Sequence, residues 1–190
     1  LMCYKAHGNE TLGVETSLMT LWDLIKPENK KSKEWLNKTV VIIDPCLNPD
    51  GHSRYVNWYM QKANKRLTVD GNSLEHFEPW PGGRPNHYLY DLNRDWAWQV
   101  QQESQQRIAL YNQWMPHMHV DFHEQGVNSP FFMAPAAEPI HAFVANYQKE
   151  FQHLIGKNIA QHFDKEAWLY FTREVFDLFY PSYGDTWPTF

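Results

Sequence analysis

Thr39-Val40-Val41-Ile42-Ile43 is an unbroken β-branched run with no polar alternation. Side chains on a strand alternate between two faces, so such a run reads as a strand covered on both, as in a parallel sheet. It constrains the chain strongly, because parallel strands need long crossovers and the usual crossover is a helix. The neighbouring sequence supplies those pieces. Leu1 to Ala6 is short, mostly apolar and strand-like. Leu12 to Ile25 carries Val14, Leu18, Leu21, Trp22 and Ile25 at helical spacing and ends before Lys26-Pro27. The Lys-rich stretch Glu28 to Lys33 reads as a solvated loop or a turn of helix. Beyond the β-branched run, Asn48-Pro49-Asp50-Gly51 closes a segment with two prolines and reads as a loop. A helical aromatic segment from Tyr55 to Lys65 follows. Then comes an aperiodic, Gly- and Pro-rich stretch from Thr68 to Asn86, a length that in a compact domain often marks function.

Ala97 to Met115 reads as a long helix stopped by Pro116. Met118 to His123 alternates apolar and polar, so His119, Asp121 and His123 share one side of a strand and Glu124 takes the other. Val127 to Ala137 reads as a Pro-punctuated loop, Glu138 to Lys165 as a helix with Gly156 as an interruption, and Trp168 to Phe190 as an aromatic tail. No internal repeat is present. The expectation is an α/β fold whose sheet is largely parallel, with sites gathered at the carboxyl ends of its strands.

At 190 residues the chain has the size of one domain. A formal charge of -5 offers no basic stripe for phosphate backbones, which argues against nucleic acid as a partner. No apolar run approaches the roughly 18 residues of a membrane span, and no charged segment precedes a short apolar one as in a signal peptide. The sequence opens at Leu1 inside a strand, and the expectation is that an upstream segment precedes it in the native protein. Aromatic residues at 16% suit an enzyme body or a cleft for peptide or carbohydrate, without choosing between them. Cys3 and Cys46 lie near the ends of two expected strands, and a disulfide and two buried thiols both remain open.

His7-Gly8-Asn9-Glu10 sits where the first strand hands over to the first helix. An imidazole and a carboxylate in such a corner can converge on one point, and zinc accepts both nitrogen and carboxylate oxygen. A polar turn is the competing reading of this tetrapeptide alone. His123, at the end of a distant parallel strand, would complete a His2Glu set with a fourth position open, the pattern of a catalytic zinc site.

Four motifs in order carry a resemblance to the zinc carboxypeptidases: His7-Gly8-Asn9-Glu10; Asn48-Pro49-Asp50-Gly51; Gly82-Gly83-Arg84 leading to Asp91-Leu92-Asn93-Arg94; and Asp121-Phe122-His123. The resemblance implies a three-layer α/β/α fold with a mixed, largely parallel sheet, and one Zn2+ ion held by His7, Glu10 and His123. It implies that Asp91 takes the outer proton of a ligand histidine, that of His7. It implies that Asn93 and Arg94 bind the carboxylate of a substrate's terminal residue, and that Arg84 steadies the oxyanion formed when zinc-activated water attacks the scissile carbonyl. The Asn48-Pro49-Asp50-Gly51 motif would be a structural loop beside the site.

The activity so implied is removal of C-terminal residues from a peptide or protein. Amide hydrolysis or cell-wall peptide trimming on the same scaffold is a second reading, and a non-catalytic module that holds peptide ends is a third. The family also needs a glutamate for proton transfer and a tyrosine that caps the substrate, both after the third ligand, and strands before the first. The expectation is therefore a partial catalytic domain, incomplete at both ends, that alone binds zinc weakly or not at all and hydrolyses nothing. The resemblance favours a secreted or periplasmic setting. His119 is expected to be a buried, hydrogen-bonded histidine rather than a ligand.

Overall fold

The computed structural model describes residues 1–180, and they divide into two units. The first comprises Leu1–Asp95 with Gln99–His123, the second Trp96–Trp98 with the residues from Glu124 onward. In the first unit the order is β1 (Met2–Tyr4), α1 (Gly13–Ile25), α2 (Lys30–Leu36), β2 (Ile43–Asp44), α3 (Pro49–Lys62), α4 (Gln102–Trp114) and β3 (Val120–Phe122). The three strands form one parallel sheet in the order β2-β1-β3. Cys3 is in register with Asp44 on one side and Asp121 on the other, and Tyr4 is in register with Phe122. The rings of Tyr4 and Phe122 stack with centroids 4.4 Å apart. Cross-strand partners share a face, so Cys3, Asp44 and Asp121 lie together on the opposite one.

Several boundaries differ from the sequence expectation, each for a local reason. The β-branched run is not a strand covered on both faces. Only Ile43 and Asp44 of that region pair with β1, and Val40 is 69% exposed. Of the two readings of the Lys-rich stretch the helical one holds, and it extends into α2, capped by the side chain of Asn29. Asn48-Pro49-Asp50-Gly51 is not a loop but the first turn of α3. Asn48 Oδ1 accepts from the Gly51 N–H at 2.9 Å, and Pro49 occupies the first turn, where a missing N–H is harmless. Helix α4 starts at Gln102 instead of Ala97, because the Asp95 carboxylate takes the N–H groups of Val100 and Gln101, each at 2.9 Å, and holds that turn out of the helix.

The stretch from Thr68 to Asn86 is irregular apart from a 3-10 turn at Leu74–His76, yet it is tied down throughout. Glu75 accepts from the N–H of Asn64 at 2.8 Å and of Thr68 at 2.9 Å. Arg54, on α3, donates to the carbonyls of Gly82, Pro85 and Asn86. Asn48 Nδ2 reaches the Arg84 carbonyl at 3.0 Å. Side chains thereby satisfy several backbone groups of a run with almost no regular structure.

The second unit contains β4 (Phe131–Phe132), β5 (Ala137–Ile140), α5 (Asn146–Glu166), β6 (Tyr170–Phe171) and β7 (Asp177–Leu178). Strands β4 and β6 pair in parallel, as do β5 and β7. The expected loop before Ala137 thus holds a strand, and Glu138–Ile140, expected as helix, belong to β5, in which Ala137 and Ile140 are in register with Asp177 and Leu178. Gly156 does not interrupt α5; a Cβ there would stand 2.1 Å from the Ala134 carbonyl oxygen, so the helix keeps glycine for close approach. Residues 181–190 of the aromatic tail lie outside the described residues.

The α/β expectation holds, and every described strand pair is parallel. The described strands form three small sheets rather than one. No described helix is long and apolar enough to cross a membrane.

Candidate metal centre

Parallel register brings the candidate ligands to one end of the sheet. His7 lies three residues beyond β1 and His123 directly follows β3. The corner between β1 and α1 is held from inside by a residue to which the sequence reading gave no role. Lys5 is fully buried in a left-handed backbone conformation (φ 61°), and its Nζ donates to the carbonyls of Glu10 and Thr11, each at 3.0 Å. The Glu10 N–H closes the turn on the His7 carbonyl at 3.2 Å. Asn9 reaches out of the corner to Glu78 at 2.8 Å, and Glu78 in turn accepts from the Gly83 N–H.

Ligand atoms of His7, Glu10 and His123 lie within 4.8 Å of one another, and these three form the cluster of metal-competent side chains among the described residues. His7 Nδ1 stands 2.6 Å from Glu10 Oε1, and His123 Nδ1 stands 3.1 Å from Glu10 Oε2. Both imidazoles thus turn Nδ1 to the same carboxylate. Their outer nitrogens turn to other carboxylates: His7 Nε2 to Asp91 Oδ1 at 3.1 Å, and His123 Nε2 to Asp121 Oδ2 at 3.2 Å. The Asp91 contact is the one the resemblance implies. The Asp121 contact has no counterpart in the sequence reading, although the i, i+2 spacing on an alternating strand was its visible signal.

This donor set fits a zinc ion. Two nitrogens and a carboxylate converge, the side chains of His7 and Glu10 are 4% and 15% exposed, and each imidazole has a carboxylate behind it to orient the ring. Without a cation, protons take up the charge. Burial opposes the charged imidazole of His123, but Asp121 and then Glu10 outweigh it and raise its pKa to about 10. Burial likewise opposes the Glu10 carboxylate, but hydrogen bonds from His123 and His7 lower its pKa to about 2. Asp91, beside His7 and Arg84, and Asp121, beside His123, are also held below the ordinary carboxylate range despite burial.

A pH dependence of stability follows for the metal-free protein. The carboxylates contribute fully above their ordinary range near 4.5, and the contribution of Glu10 is lost as pH falls toward about 2. The His123 contribution is full below its ordinary 6.5 and is lost as pH rises toward about 10. Melting temperature measured in chelator is expected to be highest between about pH 4.5 and 6.5 and to fall on both sides. A His123→Ala variant is expected to lose the alkaline part of that fall.

Arg84 lies beside the cluster. Its Nε and Nη2 both donate to Asp91 Oδ2, at 3.0 and 2.7 Å, and its Nη1 is 3.4 Å from His7 Nδ1. Asp91 Oδ1 also accepts from the Asn93 N–H at 2.9 Å and so caps the 3-10 turn Leu92–Arg94. One carboxylate therefore links His7, Arg84 and the turn carrying Asn93 and Arg94. Arg94 is exposed, with Nη1 on the Asn93 carbonyl at 3.1 Å.

His119 stays out of the cluster, as expected. It packs edge-on against Tyr111, and burial lowers its pKa to about 4. Glu124 is exposed and is not part of the cluster. Cys3 and Cys46 are both free thiols.

Comparison with known proteins agrees with this geometry. Searches of curated proteins and of solved structures returned no match. The family model described as Zinc carboxypeptidase matches residues 4–170, a span that takes in all three converging side chains and both carboxylates behind them. With most of its length matched in this way, the chain belongs to the zinc carboxypeptidase family.

Proposed function

We propose that this chain carries the metal- and chain-end-binding residues of a zinc peptidase that removes the C-terminal residue of a peptide or protein. The observation that carries the proposal is the convergence of His7, Glu10 and His123 within 4.8 Å, in a member of a family described as zinc carboxypeptidases. Zinc held there supplies Lewis acidity toward a substrate carbonyl and an attacking water.

The chain's own residues do the rest of the work assigned here. Asp91 holds His7 through Nε2. Arg84, already beside His7 Nδ1, is the preorganised cation for negative charge developing on the carbonyl oxygen. Arg94 and Asn93 read the substrate carboxylate, since a planar guanidinium grips a carboxylate through two parallel hydrogen bonds and an amide adds another. Proton transfer to the leaving amine needs a further carboxylate, and none of the described residues is assigned that role. The three-layer α/β/α arrangement and a secreted or periplasmic setting belong to the same proposal and rest on the family.

Binding tests the substrate class separately from hydrolysis. In the presence of zinc, a peptide with a free C-terminal carboxylate is expected to bind roughly 10-fold or more tightly than its C-terminal amide, the scale of a charge-assisted contact. Arg94→Ala is expected to remove the difference. Equal binding of both peptides would favour an amidase reading over a carboxypeptidase one.

A further inference from the structure

The face of the sheet opposite Tyr4 and Phe122 carries a buried polar group that the proposed reaction does not use. Asp121 is in register with Cys3, and its side chain is 6% exposed. Its Oδ2 is 3.2 Å from His123 Nε2. Both carboxylate oxygens and that nitrogen are buried, and among the described residues none of the three has a hydrogen bond of good geometry, so the 3.2 Å approach is an ion-pair contact. Around the carboxylate, His123 and Arg107 supply the positive charge that favours its ionised form. Arg107 is itself buried on α4 and anchored through Nη2 to the Leu92 carbonyl at 3.0 Å.

A carboxylate sealed in such a place is costly unless something compensates it. The arrangement repeats the one at His7, where Nδ1 faces Glu10 and Nε2 faces Asp91. An imidazole has two nitrogens, and which of them carries the proton is set by what the other meets. An acceptor at Nε2 keeps the proton there and leaves the Nδ1 lone pair for the point shared with Glu10 and His7. The two acceptors differ in one respect. Asp91 is shared with the half-exposed Arg84, whereas Asp121 is closed off from solvent.

We propose that Asp121 is a positioning residue for the metal centre, accepting the Nε2 proton of His123 and so fixing the tautomer and ring orientation with which His123 offers Nδ1. The inference rests on the metal-site reading and adds to it a second carboxylate–imidazole pair, contributed by the same strand as the ligand. Loss of such an outer partner costs roughly 10–100-fold in metal affinity.

The test is a double-mutant cycle on Zn2+ affinity, measured with the full chain by competition with a chromophoric chelator and by calorimetric titration where binding is weak. Asp121→Asn, which keeps the volume and removes the charge, is expected to weaken Zn2+ binding by about 10–100-fold. In a His123→Ala background the same substitution is expected to change affinity by less than about twofold, because the residue acts through that imidazole. An equal loss in both backgrounds would show a purely structural role and overturn the proposal, as would an Asp121→Asn affinity within about twofold of the parent. Asp121→Glu keeps the negative charge near Arg107 while shifting the carboxylate. It serves as the second variant if Asp121→Asn does not fold, and the same coupling to His123 is expected. A folded parent chain that binds no Zn2+ at all would remove the metal-site reading itself, and this inference with it. That outcome is visible in the parent alone.

Discussion

Replacing His7 by alanine is expected to reduce Zn2+ affinity by more than the roughly 10–100-fold that loss of an outer hydrogen-bond partner costs. His7 is the junction of the cluster. It meets Glu10 through Nδ1 and Asp91 through Nε2, and Arg84 Nη1 approaches the same Nδ1 at 3.4 Å. Alanine removes one of three converging donors and also leaves Glu10 and Asp91, both buried for most of their surface, without the imidazole between them. Removing one partner from a buried polar pair costs about 1–3 kcal/mol, so the metal-free protein should also melt at lower temperature. The measurement is zinc content after dialysis together with a metal titration of parent and variant. Equal zinc content in both would remove His7 from the site. A loss of stability with unchanged zinc affinity would reduce its role to that of a buried polar residue.

The convergence of the three candidate ligands was legible in the sequence because it depends on few and rigid rules. Strand alternation and parallel pairing bring His7 and His123 to the same end of neighbouring strands, whatever the length of chain between them. Asp91 was legible only through the resemblance, since nothing in a spacing of 84 residues predicts a contact with His7. Asp121 could have been read from its place two residues before His123, but the same pattern describes any strand with one polar face. Lys5 was hidden more deeply: a lysine after an apolar run ordinarily reaches solvent, and only the fold shows it buried against the carbonyls of the ligand corner.

Boundaries were least legible where a side chain overrides propensity. Asp95 holds residues before Gln102 out of α4, and Asn48 turns a Pro- and Gly-containing sequence into a helix start. The β-branched run Val40 to Ile43 failed for another reason. Its pattern specifies burial on two faces, and among the described residues only β1 pairs with that region.

The glycines of three motifs lead to the second large effect, because they show what the motifs do for one another. A Cβ on Gly8 would stand 2.1 Å from the Gly51 carbonyl carbon and 2.2 Å from the His52 nitrogen. One on Gly51 would stand 2.3 Å from the Gly83 carbonyl oxygen, and one on Gly83 would stand 2.6 Å from Tyr55 Cβ and 2.7 Å from the Gly51 oxygen. The ligand corner, the start of α3 and the segment leading to Arg84 therefore cross backbone against backbone. Gly8 has no positive φ, so its requirement is space and not torsion. Carbon atoms rest about 3.5–4.0 Å apart, and a backbone neighbour has no rotamer by which to move away.

Gly8→Ala must then push the His7–Glu10 corner off the first turn of α3, moving two ligands together. A destabilisation of about 3 kcal/mol or more is expected, at or beyond the upper end of ordinary overpacking, with weaker zinc binding than the parent in whatever protein remains folded. Gly71→Ala is the matched control, since a Cβ there meets nothing within 4 Å, and it should change stability by no more than about 0.5 kcal/mol. Urea unfolding of the two variants beside the parent makes the comparison. If Gly8→Ala proves as stable as Gly71→Ala, the motifs do not cross at Gly8, and the ligand corner must be held by Lys5 and Asn9 alone.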